Sequence, residues 1–224
     1  MTTSGTYNFS LPLDELLEQA TLRIGGEPTL GTEARVSRRA LDLLFTDLAN
    51  RGILLHTLTK VEVTLTSAVA TVTCSADTLD VLDMVIRRSG TDVPVVRIGY
   101  GEYLDIPRKT QKGRPTTYYV DRQRDAPQIY LWPTPENSTD VMIYWKMRFV
   151  QDAGALSNTP DFPRRFWPAL VAGLAYYLAL NRGMQFPLDR LAIVKAEYEE
   201  QLQHATEEDR ERASLRIVPR YRRY

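Results

Sequence analysis

The sequence is poor in the residues that reactive sites draw on. Among 224 residues there is one cysteine, Cys74, and there are two histidines, His56 and His204. A single thiol excludes a disulfide within the chain and any cysteine-based metal cluster built by one copy. Nucleophilic catalysis needs a base beside a serine or cysteine. His56 lies beside Leu54 and Leu55 and reads as structural, while His204 lies in a very polar stretch and reads as solvated. Neither is accompanied by a serine-centred elbow or by carboxylates at metal-ligand spacing. Phosphate loops are missing as well, because Gly99 and Gly101 lack a third glycine before a long helix, and Lys112 with Gly113 lacks the rest of a P-loop. No catalytic residue, metal or cofactor is therefore expected.

Net charge is also missing. Lys plus Arg number 28 and Asp plus Glu 28, so no global field favours nucleic acid or an anionic membrane. No apolar run reaches the length of about 18 residues that a membrane span needs. The most apolar stretch, FWPALVAGLAYYLAL, is interrupted by Pro168 and Gly173. The opening MTTSGTYNFSLPLDELL has no basic block followed by an apolar one, so the chain is expected to stay in the cytoplasm where it is made.

What is present is enough apolar material, 43% of residues, for one large domain or two small ones. Leu13, Leu16, Leu17, Ala20 and Ile24 fall at helical spacing, with Asp14 and Glu15 early and Gly25 and Gly26 at the stop. A second helix follows from Thr32 to before Gly52, with Val36, Ala40, Leu43, Leu44 and Leu48 as its inner face. The period then changes to two. Val61, Val63 and Leu65, a turn at Ser67 and Ala68, and the resumed alternation to Cys74 predict a β-hairpin with one wet face. VLDMVIRRSG, PVVRIG, TTYYVDR, QIYLWP and DVMIYWKMRF continue as strands, with a helical turn at 102–106. These make six or seven short strands over 57–150.

Helical periodicity returns after Gln151. One helix begins near Pro163, with Pro168 placed to restart or kink it, and a last helix carries Leu188, Leu191, Ala192, Lys195, Tyr198 and Leu202 close to one face. The expected fold is α+β: a four-helix bundle from the N- and C-terminal helix pairs (1–56 and 151–213), an inserted antiparallel β module (57–150) and an extended C-terminal arm (214–224).

Two patches invite a partner. The helix face Ala169, Ala172, Gly173, Ala175 and Ala179, with Tyr176 beside it, is small enough for another helix to approach closely, within the chain or from a second subunit. The other is the ending SLRIVPRYRRY. It has no acid, yet follows the acid-rich HATEEDRE. Leu215, Ile217, Val218, Tyr221 and Tyr224 alternate with Arg216, Arg220, Arg222 and Arg223 around Pro219. Disordered ends are usually depleted in such apolar residues, and Arg and Tyr concentrate binding energy at interfaces, so this segment suits a groove on another molecule.

The ordered set LDELLEQATLRIGG, VLDMVIRR, GEYLDIPRK, GRPTTYYVD, IYLWPTPENSTDVMIYWKMRF, DFPRRFWPALVAGLAYYLAL and LRIVP resembles the phage head-to-tail adaptor family, also called tail tubular protein A or tail accessory factor in short-tailed phages. The resemblance covers nearly the whole chain. It implies a structural virion protein and not an enzyme, made in the host cytoplasm and assembled at the portal vertex. Such proteins form a ring, typically of twelve copies, that seals the packaged genome and gives the tail or nozzle protein a platform. Duplex DNA passes through the channel without specific binding, and no membrane is involved. The helical part would build the ring, with Ala169, Ala172, Gly173 and Tyr176 as subunit contacts, and residues 215–224 would be the arm that binds the portal protein. The alternatives are a neck or tail-completion protein on the adaptor ring, a tail-associated peptidoglycan hydrolase, or a nucleic-acid-binding module using the basic tail.

Overall fold

Leu13, Leu16, Leu17 and Ala20 are all buried along one side of α1 (Leu13–Arg23), whose first turn carries Asp14 and Glu15. The chain turns away at Gly25, whose φ of +67° is open to glycine. The computed structural model describes residues 5–6, 9–26, 32–52 and 55–210, so the arm at 214–224 lies outside the described residues. Two compact units result, 1–44 together with 153–224 and, separately, 45–152.

The helical unit contains α1, the first part of α2 (Thr32–Asn50), α4 (Trp167–Asn181) and α5 (Leu188–Glu208), while a short helix, α3 (Tyr100–Leu104), belongs to the other unit. α4 is the centre: from Trp167 to Ala179 nearly every residue is buried, as for a helix apolar on all sides. Both α1 and α5 pack on it. Pro168 restarts the helix and does not kink it: a 3-10 turn at Arg164–Phe166 precedes α4, and proline occupies the first turn, where no N–H is needed.

Two inner faces differ from expectation. In α2, Ala40, Leu41, Leu44 and Leu48 are buried, whereas Val36 and Leu43 are 48% and 57% exposed. The sequence offers two apolar lines seven residues apart, Val36/Leu43 and Leu41/Leu48, and only one faces the core. In α5 the buried line is Val194, Tyr198, Leu202 and Ala205, which leaves Leu188, Ala192 and Lys195 outside.

The sheet unit is built from β1 (Leu58–Thr64), β2 (Thr71–Thr73), β3 (Thr78–Arg88), β4 (Thr91–Arg97), β5 (Lys112–Gly113), β6 (Thr117–Asp121), β7 (Gln128–Trp132), β8 (Thr134–Pro135) and β9 (Val141–Arg148). Seven of them form one sheet in the order β1-β9-β3-β4-β6-β7-β2, and β5 pairs β8. The predicted hairpin of β1 and β2 does not form. β1 pairs β9, with Leu58 opposite Met147, and β2 pairs β7. These two strands are thus the opposite edges of the sheet, joined only by residues 65–70. Seven chain steps reach at most about 25 Å, while seven flat strands would be about 29 Å wide. The sheet must therefore curl until its edges approach. Leu65, Cys74, Val81, Ile86, Tyr118, Ile129, Leu131, Met142 and Tyr144 fill the inside of that curl.

Nor is the module wholly antiparallel. β4 and β6 run parallel, as do β5 and β8, because the connection 98–116, which includes α3, returns the chain to the starting end before β6 begins. The β4/β6 join is short, only Val96 with Thr117 and Arg97 with Tyr118, extended by Val96 N–H to Thr116 and Ile98 N–H to Tyr118. Pro94 sits in β4 opposite Val85 of β3, at a point where no β6 residue is paired and its missing N–H costs nothing.

Candidate functional site

Charge inside the curled sheet is placed where the ladder is weakest. Asp80, only 5% exposed, lies at a register shift in the β3/β9 pairing. It accepts a bond from Arg97 Nη2 at 3.0 Å and from its neighbour Val81 N–H at 2.8 Å, and it pairs with Arg122 beyond β6. Burial acts to raise its pKa, but the bonds from Arg122 and Arg97 outweigh it and hold the carboxyl below the usual carboxylate range. These ion pairs tie β3 to both sides of the β4/β6 seam. Tyr118 Oη crosses the same seam to the Leu82 carbonyl at 2.9 Å. Burial pushes its phenol up to about 12, so it remains a donor.

A second tie closes the turn before β9. Asp140, 1% exposed, is held by Arg88 with Nη2 at 2.6 Å, and Arg88 also reaches Glu136 at 2.8 Å. The Arg88 bonds keep the Asp140 carboxyl low in pKa. All of these groups are spent on one another. None faces a cleft as a lone acid or base.

The nearest approach to catalytic geometry is Ser75, whose Oγ is 2.7 Å from Lys146 Nζ. A serine–lysine pair works when the amine accepts the hydroxyl proton. Here the ammonium donates to the serine and to both Asp77 oxygens, at 2.6 and 2.7 Å, the reverse of a base's role. Cys74 is buried, and burial pushes its thiol up in pKa, away from the reactive thiolate. His56 falls in a half-buried 3-10 turn and His204 on the exposed side of α5. Among the described residues, no group of three or more His, Cys, Asp or Glu is placed to hold a metal, and no helix is long and apolar enough to cross a membrane.

What remains is surface suited to contact. Of the predicted subunit face, Ala169 and Ala172 are 0% exposed, and a Cβ on Gly173 would stand 2.8 Å from Tyr198 and 2.9 Å from Leu44. Tyr176, half-buried, stacks on Tyr198 at 6.2 Å between centroids. The close approach read from these small residues is made by the chain's own α5 and α2, which leaves Ala169, Ala172 and Gly173 no surface to offer a neighbour. The predicted arm, Leu215, Arg216, Ile217, Val218, Pro219, Arg220, Tyr221, Arg222, Arg223 and Tyr224, lies outside the described residues. The last described turn before it is anchored, since Asp209 pairs with Arg165.

Two surfaces were missed by the sequence reading. Val36, Ala40 and Leu43 of α2 and Tyr177 and Asn181 of α4, with Arg35 and Arg39, line a groove of about 510 Å³. Its signal is the second apolar line on α2, which periodicity alone places in the core. The other is a tyrosine cluster on the outer face of the curled sheet. Tyr119 stacks on Tyr130 across β6 and β7, and Tyr103 of α3 stacks on Tyr119 at 5.4 Å with Lys109 over its ring. Tyr100 stands 63% exposed at its edge. The alternation of TTYYVD and QIYLW was readable as strands, but which tyrosines share an outer face depends on the β6/β7 register.

A sequence model of the family described as SU10 adaptor protein matches residues 11–220. The chain belongs to the SU10 adaptor protein family. The match takes in both units of this SU10 adaptor protein, from the residue before Pro12 to well past α5. It agrees with the resemblance to phage head-to-tail adaptors, a structural family and not one known for enzymes. No curated protein matches the chain.

Proposed function

We propose that this SU10 adaptor protein is a component of the phage particle that forms a ring on the portal vertex, closes the DNA channel and provides the attachment platform for the tail or nozzle protein. The four helices from the two ends of the chain form the ring-building body, a bundle around α4. The curled sheet is the tail-side module, and residues 214–224 are the portal-binding arm. The ring has twelve copies, and duplex DNA passes through it without specific binding. Because Ala169, Ala172 and Gly173 are filled from within, the ring contacts use the outer helix faces, with Tyr176 the one member of the predicted face near them.

The observation that carries this reading is the family match, which runs through the helical unit, the sheet unit and into the basic ending as far as residue 220. The internal pairing of every buried charge described above supports a structural role over a catalytic one. Each arm alone binds weakly, since ordering it on a partner costs conformational entropy, and repetition around a ring supplies avidity. The free protein is accordingly monomeric or weakly associated and becomes a ring on the portal.

Removing residues 214–224 abolishes capture of portal protein while the circular dichroism and unfolding midpoint stay unchanged. Equal capture by the full and shortened chains overturns the arm. Capture of an assembled adaptor ring in place of portal by the full chain identifies a neck protein instead.

A further inference from the structure

Among the described residues nothing fills the groove between α2 and α4, and its chemistry is defined. Its floor is apolar, with Val36 48% and Leu43 57% exposed, and Arg35 and Arg39 stand at its rim. Neither arginine makes an ion pair with a described residue, whereas Arg38, one position away, donates to the Gly154 carbonyl. An exposed apolar line bounded by arginines with no described partner fits an occupant with an apolar ridge and carboxylates.

The chain carries such a ridge on the outer side of α5. Ile193 is 67% exposed, on the side opposite Val194, Tyr198 and Leu202. At 100° per residue, Asp189, Ile193 and Glu200 fall along one line of the helix, with the small Ala196 between them. Asp189 and Glu200 make no ion pair with a described residue, while Glu199 is engaged by Lys195 and Glu197 by Arg23. The basic ending 214–224 is a poorer candidate for the groove, because its four arginines would meet Arg35 and Arg39.

We propose that the α2/α4 groove of one copy receives the outer face of α5 from a second copy, Ile193 entering between Val36 and Leu43 while Glu200 and Asp189 meet Arg39 and Arg35. This deepens the ring reading above and rests on it. Groove and ridge are different surfaces of the same chain, so the contact is head-to-tail, which closes into a ring when the rotation between copies permits. Its charges lie at a rim and give it modest strength and a marked sensitivity to salt.

The test traps the contact covalently, so that it reads even if the free protein sediments as a monomer. Two full-length variants, Val36→Cys and Ile193→Cys, are mixed with a short bis-maleimide; native Cys74 is buried and silent. The mixture yields cross-linked dimer, and each variant alone does not. Adding Arg39→Glu to the first or Glu200→Arg to the second lowers the yield about fivefold, and combining both reversals restores it. No cross-link in the mixture, either free or with portal protein added, overturns the proposal, and so does a yield indifferent to the two reversals. Equal cross-linking of Val36→Cys with itself also overturns it in favour of a two-fold contact. Portal capture, measured in parallel, is independent of this result: loss of capture with the cross-link intact refutes the portal reading alone.

Discussion

In the helical unit the described buried residues are apolar, from Leu13 in α1 to Ala205 in α5, the one exception being the Asp209 carboxylate, covered by Arg165 just past the end of α5. In the sheet unit Asp80, Asp140 and Lys146 are as buried as the aliphatic residues beside them. The difference follows from what each backbone can do for itself. A helix satisfies its own peptide groups, so α4 can be apolar on all sides and needs only close-fitting neighbours. The curled sheet has a join of two residue pairs between β4 and β6 and a bulged β3, and side-chain charges tie what the ladder leaves loose. The helical unit is therefore sensitive to lost volume, and the sheet unit to lost charge.

That contrast can be broken in three ways. Phe166 is 0% exposed in the helical unit, so Phe166→Ala lowers the stability of that unit by about 4 kcal/mol through the lost burial and the cavity it leaves. Trp167 reports this transition when Trp132 and Trp145 of the sheet unit are replaced by Phe. If the midpoint does not move, Phe166 is not a core residue. Next in size, Arg88→Met strips Asp140 of its main partner; removing one member of a buried pair is costly, and with Arg88 partly exposed the loss is about 2 kcal/mol, confined to the sheet unit. An unchanged sheet transition, read from Trp132 and Trp145 with Trp167 replaced, refutes the tie.

The smallest effect is that of acid. Asp80 and Asp140 have folded pKa values below their unfolded ones, so their contribution is complete above the ordinary carboxylate range and is lost as pH falls through the depressed values. The sheet unit loses stability on acidification from these groups, and Asp80→Asn flattens that dependence. A sheet transition in Asp80→Asn with the same acid slope as the parent chain removes Asp80 from the account.

Periodicity was a good guide to elements and a poor one to partners. Leu13 to Ala20 with the Gly25 stop marked α1 closely, and the alternation around Val61 and Val72 marked two strands. Period two says that a strand has two faces; it does not say which strand lies beside it, and nearness in sequence suggested a hairpin where the fold put two edges. On α2 the choice between two apolar lines depends on α4, which is far along the chain, so Val36 and Leu43 read as core and the groove was hidden. Small residues on α4 did signal close approach, but composition cannot say whether the approaching helix belongs to the same chain. Asp80, Arg97 and Arg122 are too distant in sequence for their pairing to be visible without the sheet.

Leu58 of β1 lies opposite Met147 of β9, so the first and last strands of the sheet unit are neighbours, with Cα atoms about 5 Å apart in such a pair. The unit behaves as a cassette whose two leads leave side by side. A larger, smaller or different module could be grafted between the same two leads. Sequence change within 58–148 can thus vary the sheet while the points where the chain enters and leaves it stay together.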